Sequence, residues 1–296
     1  MLFGPGLFRH VSACNARDLT RVSPLVAEYR RLAWPGAAAQ EAMASLDRQF
    51  VRDGAIWRFA EGCRTTAART AALAAVTKAL ARTGQIRPLR GELYPVTTEW
   101  GAPVACAIDR SASVAMGVRA FGVHLNGFIR RADGIHLWVA RRARDKAVAP
   151  GKLDNMVAGG QPTRLTLKEN LIKECAEEAS LPRALAERAA PVGLVRYCFS
   201  TPEGLKPDTL FCYDLEMPED VVPTPGDDEC EAFELWPVAR VLEIIARTDD
   251  FKFNVPLVIL DFCLRHGVLT PDNAPEYTAI ASNLRRPFPD SEPLEP

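Results

Sequence analysis

One stretch constrains this chain more than any other, the segment AGGQPTRLTLKENLIKECAEEASL that covers residues 158–181. Apolar residues recur in it at helical spacing, which predicts one amphipathic helix with a single buried face. Thr166 and Glu169 have the spacing of a capping box at the start of that helix. Gly159 and Gly160 precede it and predict a tight turn, where the backbone can come close to a phosphate or a metal.

The predicted helix carries three glutamates beside its apolar face, Glu174, Glu177 and Glu178. Their spacing puts the carboxylates on adjoining turns, where like charges repel by roughly 0.2–0.5 kcal/mol per pair. A hard divalent cation would remove this repulsion, and carboxylate oxygen is the ligand that such cations prefer. Three glutamates on a helix more often form a solvated face, but the glycines in front of them favour a metal site.

This arrangement resembles the signature of the Nudix hydrolases, which cleave a nucleoside diphosphate linked to another moiety or a similar pyrophosphate. The family pattern is Gly, five residues, Glu, seven residues, then Arg-Glu-apolar-any-Glu-Glu-any-Gly-apolar. All three glutamates of its second part match here. Gly159 takes the first position and Lys173 takes that of the Arg. Leu165 and Ser180 stand where the early Glu and the late Gly belong.

The resemblance implies roles for individual residues. Glu174, Glu177 and Glu178 are the predicted ligands of Mg²⁺ or Mn²⁺, and Glu178 and Glu174 are also predicted to be catalytic. Glu231, in the acidic run DDECEAFE, is the predicted base or an additional ligand. The residues predicted to bind a small-molecule diphosphate substrate are Gly159, Gly160, Arg141, Arg142, Asp154, Asn155 and Lys173.

Further segments are similar to the Nudix proteins related to fungal and plant thiamin pyrophosphokinases, in which a helper domain precedes the Nudix domain. These segments are GVRAFGVHLNGFIR, GKLDNMVAGG, FKFNVPLVILDFCLRHG and LRGELYPV. The resemblance implies hydrolysis of thiamin diphosphate, or of its oxidised oxo and oxy derivatives, to the monophosphate and phosphate. The aromatic side chains considered for stacking on the substrate ring are Trp100, Phe121, Phe128, Trp138, Tyr197, Phe199 and Trp236.

Two other functions stay open. One is a Nudix hydrolase of nucleoside diphosphate derivatives, such as dinucleotides or sugar nucleotides. The other is a catalytically weak diphosphate-binding protein, which Leu165, Ser180 and the missing Arg suggest.

A chain of 296 residues favours two domains. We predict an α+β helper domain over residues 1–112, a Nudix domain over residues 113–283 and a flexible tail over residues 284–296. The predicted order of strands and helices in the second domain suits the α/β/α sandwich with a mixed sheet that the resemblance implies. In the first domain the pattern predicts two helices within residues 18–50 and another over residues 64–83.

The net charge and the cysteines indicate which partners and which cellular compartment to expect. The formal net charge of −1 gives no broad electrostatic footprint for nucleic acid or an anionic membrane, so neither is expected as a partner. Eight cysteines are scattered singly, which predicts reduced thiols in a cytoplasmic protein. Base rates alone leave room for a homodimer.

Overall fold

The computed structural model describes residues 3–288, which contain thirteen strands and nine α-helices. The strands are β1 (Leu25–Ala27), β2 (Arg30–Ala33), β3 (Phe50–Asp53), β4 (Ile56–Phe59), β5 (Leu93–Val96), β6 (Cys106–Asp109), β7 (Ala120–Arg131), β8 (Gly134–Arg142), β9 (Leu153–Asn155), β10 (Val157–Gly160), β11 (Ala190–Ser200), β12 (Leu205–Glu216) and β13 (Cys230–Pro237). The helices are α1 (Phe8–Ala13), α2 (Ala37–Ala44), α3 (Thr66–Arg82), α4 (Ser113–Met116), α5 (Leu167–Ala179), α6 (Arg183–Ala186), α7 (Val238–Arg247), α8 (Val255–Arg265) and α9 (Tyr277–Asn283).

The first half of the chain is built on a four-stranded sheet in the order β2-β1-β4-β3, and β5 pairs separately with β6. Helix α3 confirms the helix predicted over residues 64–83, and its buried face includes Leu73, Val76 and Leu80. Thr65 caps this helix by accepting a hydrogen bond from the backbone N–H of Ala68.

The prediction of a helix before Pro35 is wrong. Residues 25–33 form the hairpin of β1 and β2, with Glu28 and Tyr29 at positive φ in the turn. Leu25 and Leu32 are buried in the core of the first half, and β1 also pairs in parallel with β4. That pairing with a distant strand stabilises the extended conformation, and helical periodicity within the segment could not reveal it.

The second half is an α/β/α sandwich, as the sequence predicts. Its mixed sheet has the order β11-β12-β7-β8-β13, with β10 attached to β7 and β9 attached to β8. Strands β12 and β7 are parallel, whereas the other pairs are antiparallel. One apolar layer joins the sheet to α5 and α6, and a second joins its opposite face to α7 and α8. The sheet is therefore covered by helices on both faces.

Helix α5 confirms the predicted amphipathic helix and its capping box. The Thr166 hydroxyl accepts from the N–H of Glu169, while the Glu169 carboxylate accepts from the N–H of Thr166 at 2.8 Å. Leu171 and Cys175 lie on its buried face. At the C-terminal end Ser180 adopts a left-handed conformation with φ of 50°, the conformation that a Gly adopts without strain.

A chain of buried and half-buried polar side chains, here called the polar chain, crosses the face of the sheet opposite α5. Its members are His124, Asn155, Asn126, Asp214 and Arg265, joined by hydrogen bonds of 2.8–3.1 Å. Burial alone would raise the pKa of Asp214, but hydrogen bonds from Arg265, Asn126 and His266 outweigh it and lower that pKa. The charge of Asp214 is therefore fully compensated inside the protein.

Direct contacts join the two halves beside α5, the helix that carries the three glutamates. The hydroxyl of Tyr94, on β5, lies against the backbone of Gly160 at the end of β10. The N–H of Thr163 donates to the carbonyl of Leu93 at 2.9 Å. Strand β5 of the first half therefore runs beside the loop that leads into α5.

Residues 284–288 of the predicted tail lie within the described part of the chain, and Leu284 and Phe288 are buried there. Residues 289–296 lie outside the described residues, and the proposed domain boundary at residue 112 stays a prediction. None of the helices between residues 3 and 288 combines the length and apolar character that crossing a membrane requires.

The contact between Gly160 and Tyr94 predicts a coupled pair of substitutions. Gly160→Ala would place a Cβ on the Tyr94 hydroxyl, so we expect a loss of about 2 kcal/mol in the free energy of unfolding. Tyr94→Phe removes that oxygen, and we expect the double variant to recover about 1 kcal/mol of the loss. Urea unfolding of the four proteins measures the coupling. Gly62→Ala, which adds a Cβ in open space, is the control, and strictly additive losses would contradict the contact.

The lowered pKa of Asp214 predicts a pH-dependent stability. The hydrogen-bonded carboxylate stabilises the folded state above its unfolded pKa of about 4, and this stabilisation is lost as the pH falls through the lower folded value. We expect the difference in unfolding free energy between the wild type and Asp214→Asn to be largest near neutral pH and to shrink below about pH 4. Urea titrations at pH 7, 5 and 3 measure this difference. A constant difference would contradict the assignment.

Candidate active site

Two of the three predicted glutamates meet at the backbone of β10. Glu178 accepts a hydrogen bond from the N–H of Ala158 at 2.9 Å. Glu174, one turn earlier on α5, lies over Gly159, where a Cβ would overlap its carboxylate. The two side chains therefore form a carboxylate pair on the sheet-facing side of α5, and the pair requires a residue without a side chain at position 159.

The carboxylate pair is held in an environment that disfavours its ionised form. Burial raises the pKa of Glu178 well above its usual range, and the charges of Glu174, Asp154 and Glu229 raise it further, against the hydrogen bond from Ala158. Burial also raises the pKa of Glu174, although Lys173 partly offsets it. These like charges lie close together without full neutralisation, which is typical of a functional site.

Glu177 lies apart from the carboxylate pair. Its side chain is 51% exposed and binds the Lys173 ammonium at 2.5 Å. Lys173 also lies 3.3 Å from Glu174, so it bridges two of the three glutamates from the solvent side. Lys173 thus takes the expected position of the family Arg, while Glu177 is directed toward solvent and Lys173.

The glycines before α5 do not form the predicted turn. Gly159 and Gly160 are the last residues of β10 and pair with Val123 and Gly122 of β7. Neither has a positive φ. What they provide is close approach, because Glu174 lies on one of them and Tyr94 on the other.

Four residues predicted to bind substrate are engaged within the protein. Arg142 donates to the buried Asp154 at 2.8 Å, and Lys252 does so at 3.0 Å. Asn155 belongs to the polar chain. Arg141 lies 3.6 Å from Glu234.

The acidic run reaches Glu178 through a different residue from the one predicted. Glu231 accepts from the backbone N–H of Arg144 at 3.1 Å and is exposed to solvent. Glu229, in contrast, lies close enough to Glu178 to raise its pKa. The register of β13 shifts between Cys230 and Ala232, and this bulge sets the direction of Glu231.

An aromatic cluster formed by Trp100, Phe121 and Phe211 adjoins the start of the loop between β10 and α5. Trp100 makes edge contacts with both phenylalanines, at ring-centroid distances of 5.1 and 5.3 Å. The carbonyl of Phe121 accepts from the N–H of Gln161, which follows Gly160 directly. Trp100 is 37% exposed, so a planar ring could reach it from solvent. The other aromatic candidates are buried or partly buried in the apolar layers of the second half: Phe128, Trp138, Tyr197, Phe199 and Trp236.

Residues that the sequence did not single out also lie near the carboxylate pair. Glu92 raises the pKa of Glu174. Arg110 interacts electrostatically with Glu229. Tyr94 contacts Gly160. The segment LRGELYPV contains Glu92 and Tyr94, but the sequence assigns no site role to them or to Arg110, and the tertiary contact between the two halves brings them here.

The carboxylate pair was tested for its fit to a metal ion. Within residues 3–288, no group of three or more His, Cys, Asp or Glu side chains is arranged to hold one. Magnesium, however, is commonly bound by one or two carboxylates together with substrate phosphates and water. Two clustered carboxylates with raised pKa values meet that requirement, so the residues present fit such an ion.

Comparisons with known proteins agree with this arrangement. A family model described as a domain of unknown function, DUF4743, matches residues 6–120. The chain is 46% identical over 217 residues to Nudix hydrolase 20, chloroplastic, of Arabidopsis thaliana, covering 73% of this chain and 58% of that protein. It is 43% identical over 223 residues to Nudix hydrolase 24, chloroplastic, of the same plant, covering 73% and 59%.

The chain therefore spans less than two thirds of the length of either relative. Among solved structures, the DR0079 protein of Deinococcus radiodurans aligns with 57% of this chain and 96% of its own, at 20% identity and a TM-score of 0.42. The matched signature on α5, the sandwich around it and the two plant relatives lead to one conclusion: the chain belongs to the Nudix superfamily.

Proposed function

We propose that this protein is a metal-dependent hydrolase that cleaves a phosphoanhydride bond in a diphosphate. The observation that carries the proposal is the carboxylate pair, Glu174 and Glu178, which converges on the backbone of β10 with raised pKa values. The name of the two plant relatives, Nudix hydrolase, supports the same reaction.

Glu174 and Glu178 are the side chains that would hold Mg²⁺ or Mn²⁺. Such an ion, when bound, would spread the charge on the non-bridging oxygens of the diphosphate. Glu177 is a more peripheral ligand in this proposal, because its exposed carboxylate already binds Lys173.

Hydrolysis also requires a base that takes a proton from the attacking water. Glu178 is placed for this role, because its carboxylate belongs to the pair and is held at the backbone of β10. The hydrogen bond from Ala158 to its Oε2 fixes the orientation of the carboxylate. We therefore assign Glu178 as the base and Glu229 as the acidic neighbour that helps to keep its pKa raised.

The organic part of the substrate is the finer part of the proposal. The cluster of Trp100, Phe121 and Phe211 suits a flat ring, and a cationic thiazolium would gain cation–π attraction on Trp100. We propose thiamin diphosphate or its oxidised derivatives, with the monophosphate and phosphate as products.

The cytoplasmic location and the homodimer stay predictions.

The three glutamates differ in burial, so we expect their substitutions to lower activity by different amounts. We expect Glu178→Gln to lower kcat at least ~100-fold because it removes a base and a metal ligand together. Glu174→Gln should be similarly impaired, whereas Glu177→Gln should lose much less. Glu187→Gln, at the C-terminal end of α6 and paired with Arg183, is the control and should keep wild-type turnover. Steady-state phosphate release measures kcat, and wild-type turnover in Glu178→Gln would contradict the assignment.

A substrate panel tests the reaction and its specificity together. With Mg²⁺ or Mn²⁺, we expect thiamin diphosphate and oxothiamin diphosphate to lose phosphate, and we expect a chelator to stop the reaction because the carboxylate pair needs a cation to bind the diphosphate. Phosphate release and chromatography of the products provide the measurement.

Cleavage of ADP-ribose or dinucleotides alone would overturn the thiamin proposal and favour nucleoside diphosphate derivatives. If no diphosphate is cleaved with either metal, the chain is a diphosphate-binding protein, and the proposed hydrolysis is wrong.

A further inference from the structure

The first half of the chain holds a cation beside the carboxylate pair. Arg110 follows β6, and its backbone N–H donates to the carbonyl of Glu92 at 2.9 Å. Its guanidinium binds the Glu92 carboxylate at 3.0 Å and lies 5.7 Å from the centre of the Tyr94 ring. Backbone, carboxylate and ring thus fix the position of Arg110, while 42% of its side chain stays exposed.

Two contacts already described link the position of Arg110 to the segment that leads into α5. Tyr94, below the guanidinium, touches Gly160, and the neighbouring Leu93 carbonyl accepts from Thr163. Electrostatics agrees with this placement, because Glu92 acts on Glu174 and Arg110 interacts with Glu229. Arg110 is therefore near Glu92 and Glu229, the acidic residues that act on Glu174 and Glu178.

Four cations of the second half that lie near the pair have acidic partners, among them Lys146 at 3.9 Å from Glu229. Arg142 and Lys252 both bind the buried Asp154, at 2.8 and 3.0 Å. Lys173 binds Glu177 and lies near Glu174. A diphosphate carries several negative charges, and an arginine fork matches phosphate oxygens better than a point charge does. The pair of Arg110 with Glu92 is partly exposed and hence weak, so a phosphate can compete for the guanidinium.

We propose that Arg110 binds the diphosphate of the substrate, so that the N-terminal half contributes a substrate-binding residue to the active site. Glu92 and Tyr94 act as positioning residues that hold the guanidinium in place before substrate arrives. The proposal rests on the proposed function for the identity of the ligand as a diphosphate, but not on catalytic turnover.

The test compares Arg110→Ala with Arg58→Ala in the full chain. Arg58 is a matched control, since it lies in the same half, pairs with Asp53 at 3.0 Å and has a side chain 40% exposed. The probe is imidodiphosphate, whose P–N–P bridge resists hydrolysis, and its binding is measured by calorimetry with Mg²⁺ present. We expect Arg110→Ala to bind it about 10- to 100-fold more weakly, from the loss of charge-assisted hydrogen bonds, and Arg58→Ala to match the wild type.

Kinetics separates a binding role from a structural one. For the best substrate of the panel, Arg110→Ala should raise KM by a similar factor and leave kcat within about threefold, and Arg110→Lys should recover part of the affinity. Unchanged imidodiphosphate binding in Arg110→Ala would overturn the proposal even if the wild type hydrolyses diphosphates. Weakened binding would support it even if the wild type hydrolyses none, so the two proposals fail separately. If Arg110→Ala does not fold, Arg110→Gln, which keeps a polar side chain of similar length, replaces it.

Discussion

The contact between α5 and the backbone of β10 is the interaction on which the candidate site depends. Glu174 can reach this strand only because position 159 has no side chain, and Glu178 binds the neighbouring N–H of Ala158. Moving carboxylates out of water is unfavourable, and one N–H donor from Ala158 compensates only part of that penalty. The remainder is visible as the raised pKa values of both groups. A cation bound at the pair, as in the proposed function, would relieve it.

On the opposite face of the sheet, a buried carboxylate with a structural role has different partners and a pKa shifted in the opposite direction. Asp214 is also buried, yet Arg265, Asn126 and His266 lower its pKa. Asp154 behaves similarly, since burial would raise its pKa but Lys252 and Arg142 outweigh that effect. The difference lies in the partners and not in the depth of burial. Carboxylates that stabilise the fold are neutralised by protein cations, whereas Glu178 is surrounded by further acids.

Local signals explain which parts of this fold could be predicted from sequence. The capping box at Thr166 and helix α3 depend on neighbouring residues and were predicted. The β1–β2 hairpin was not, because it is stabilised by β4, which comes later in the chain. In the acidic run, β13 has a register shift between Cys230 and Ala232, Glu231 accepts from the N–H of Arg144, and Glu229 acts on Glu178. A local pattern does not reveal such a shift.

The same reasoning explains why only half of the candidate site could be predicted. The carboxylate pair comes from one helix, so its spacing is visible in the sequence. Arg110, Glu92 and Tyr94 come from a hairpin of the first half, and their nearness to α5 depends on a hydroxyl that packs on Gly160 and on one hydrogen bond to Thr163. These contacts hold the loop before α5 as well as the guanidinium. The first half is therefore packed directly against the loop before α5, and the proposal that it contributes to the active site depends on these two contacts.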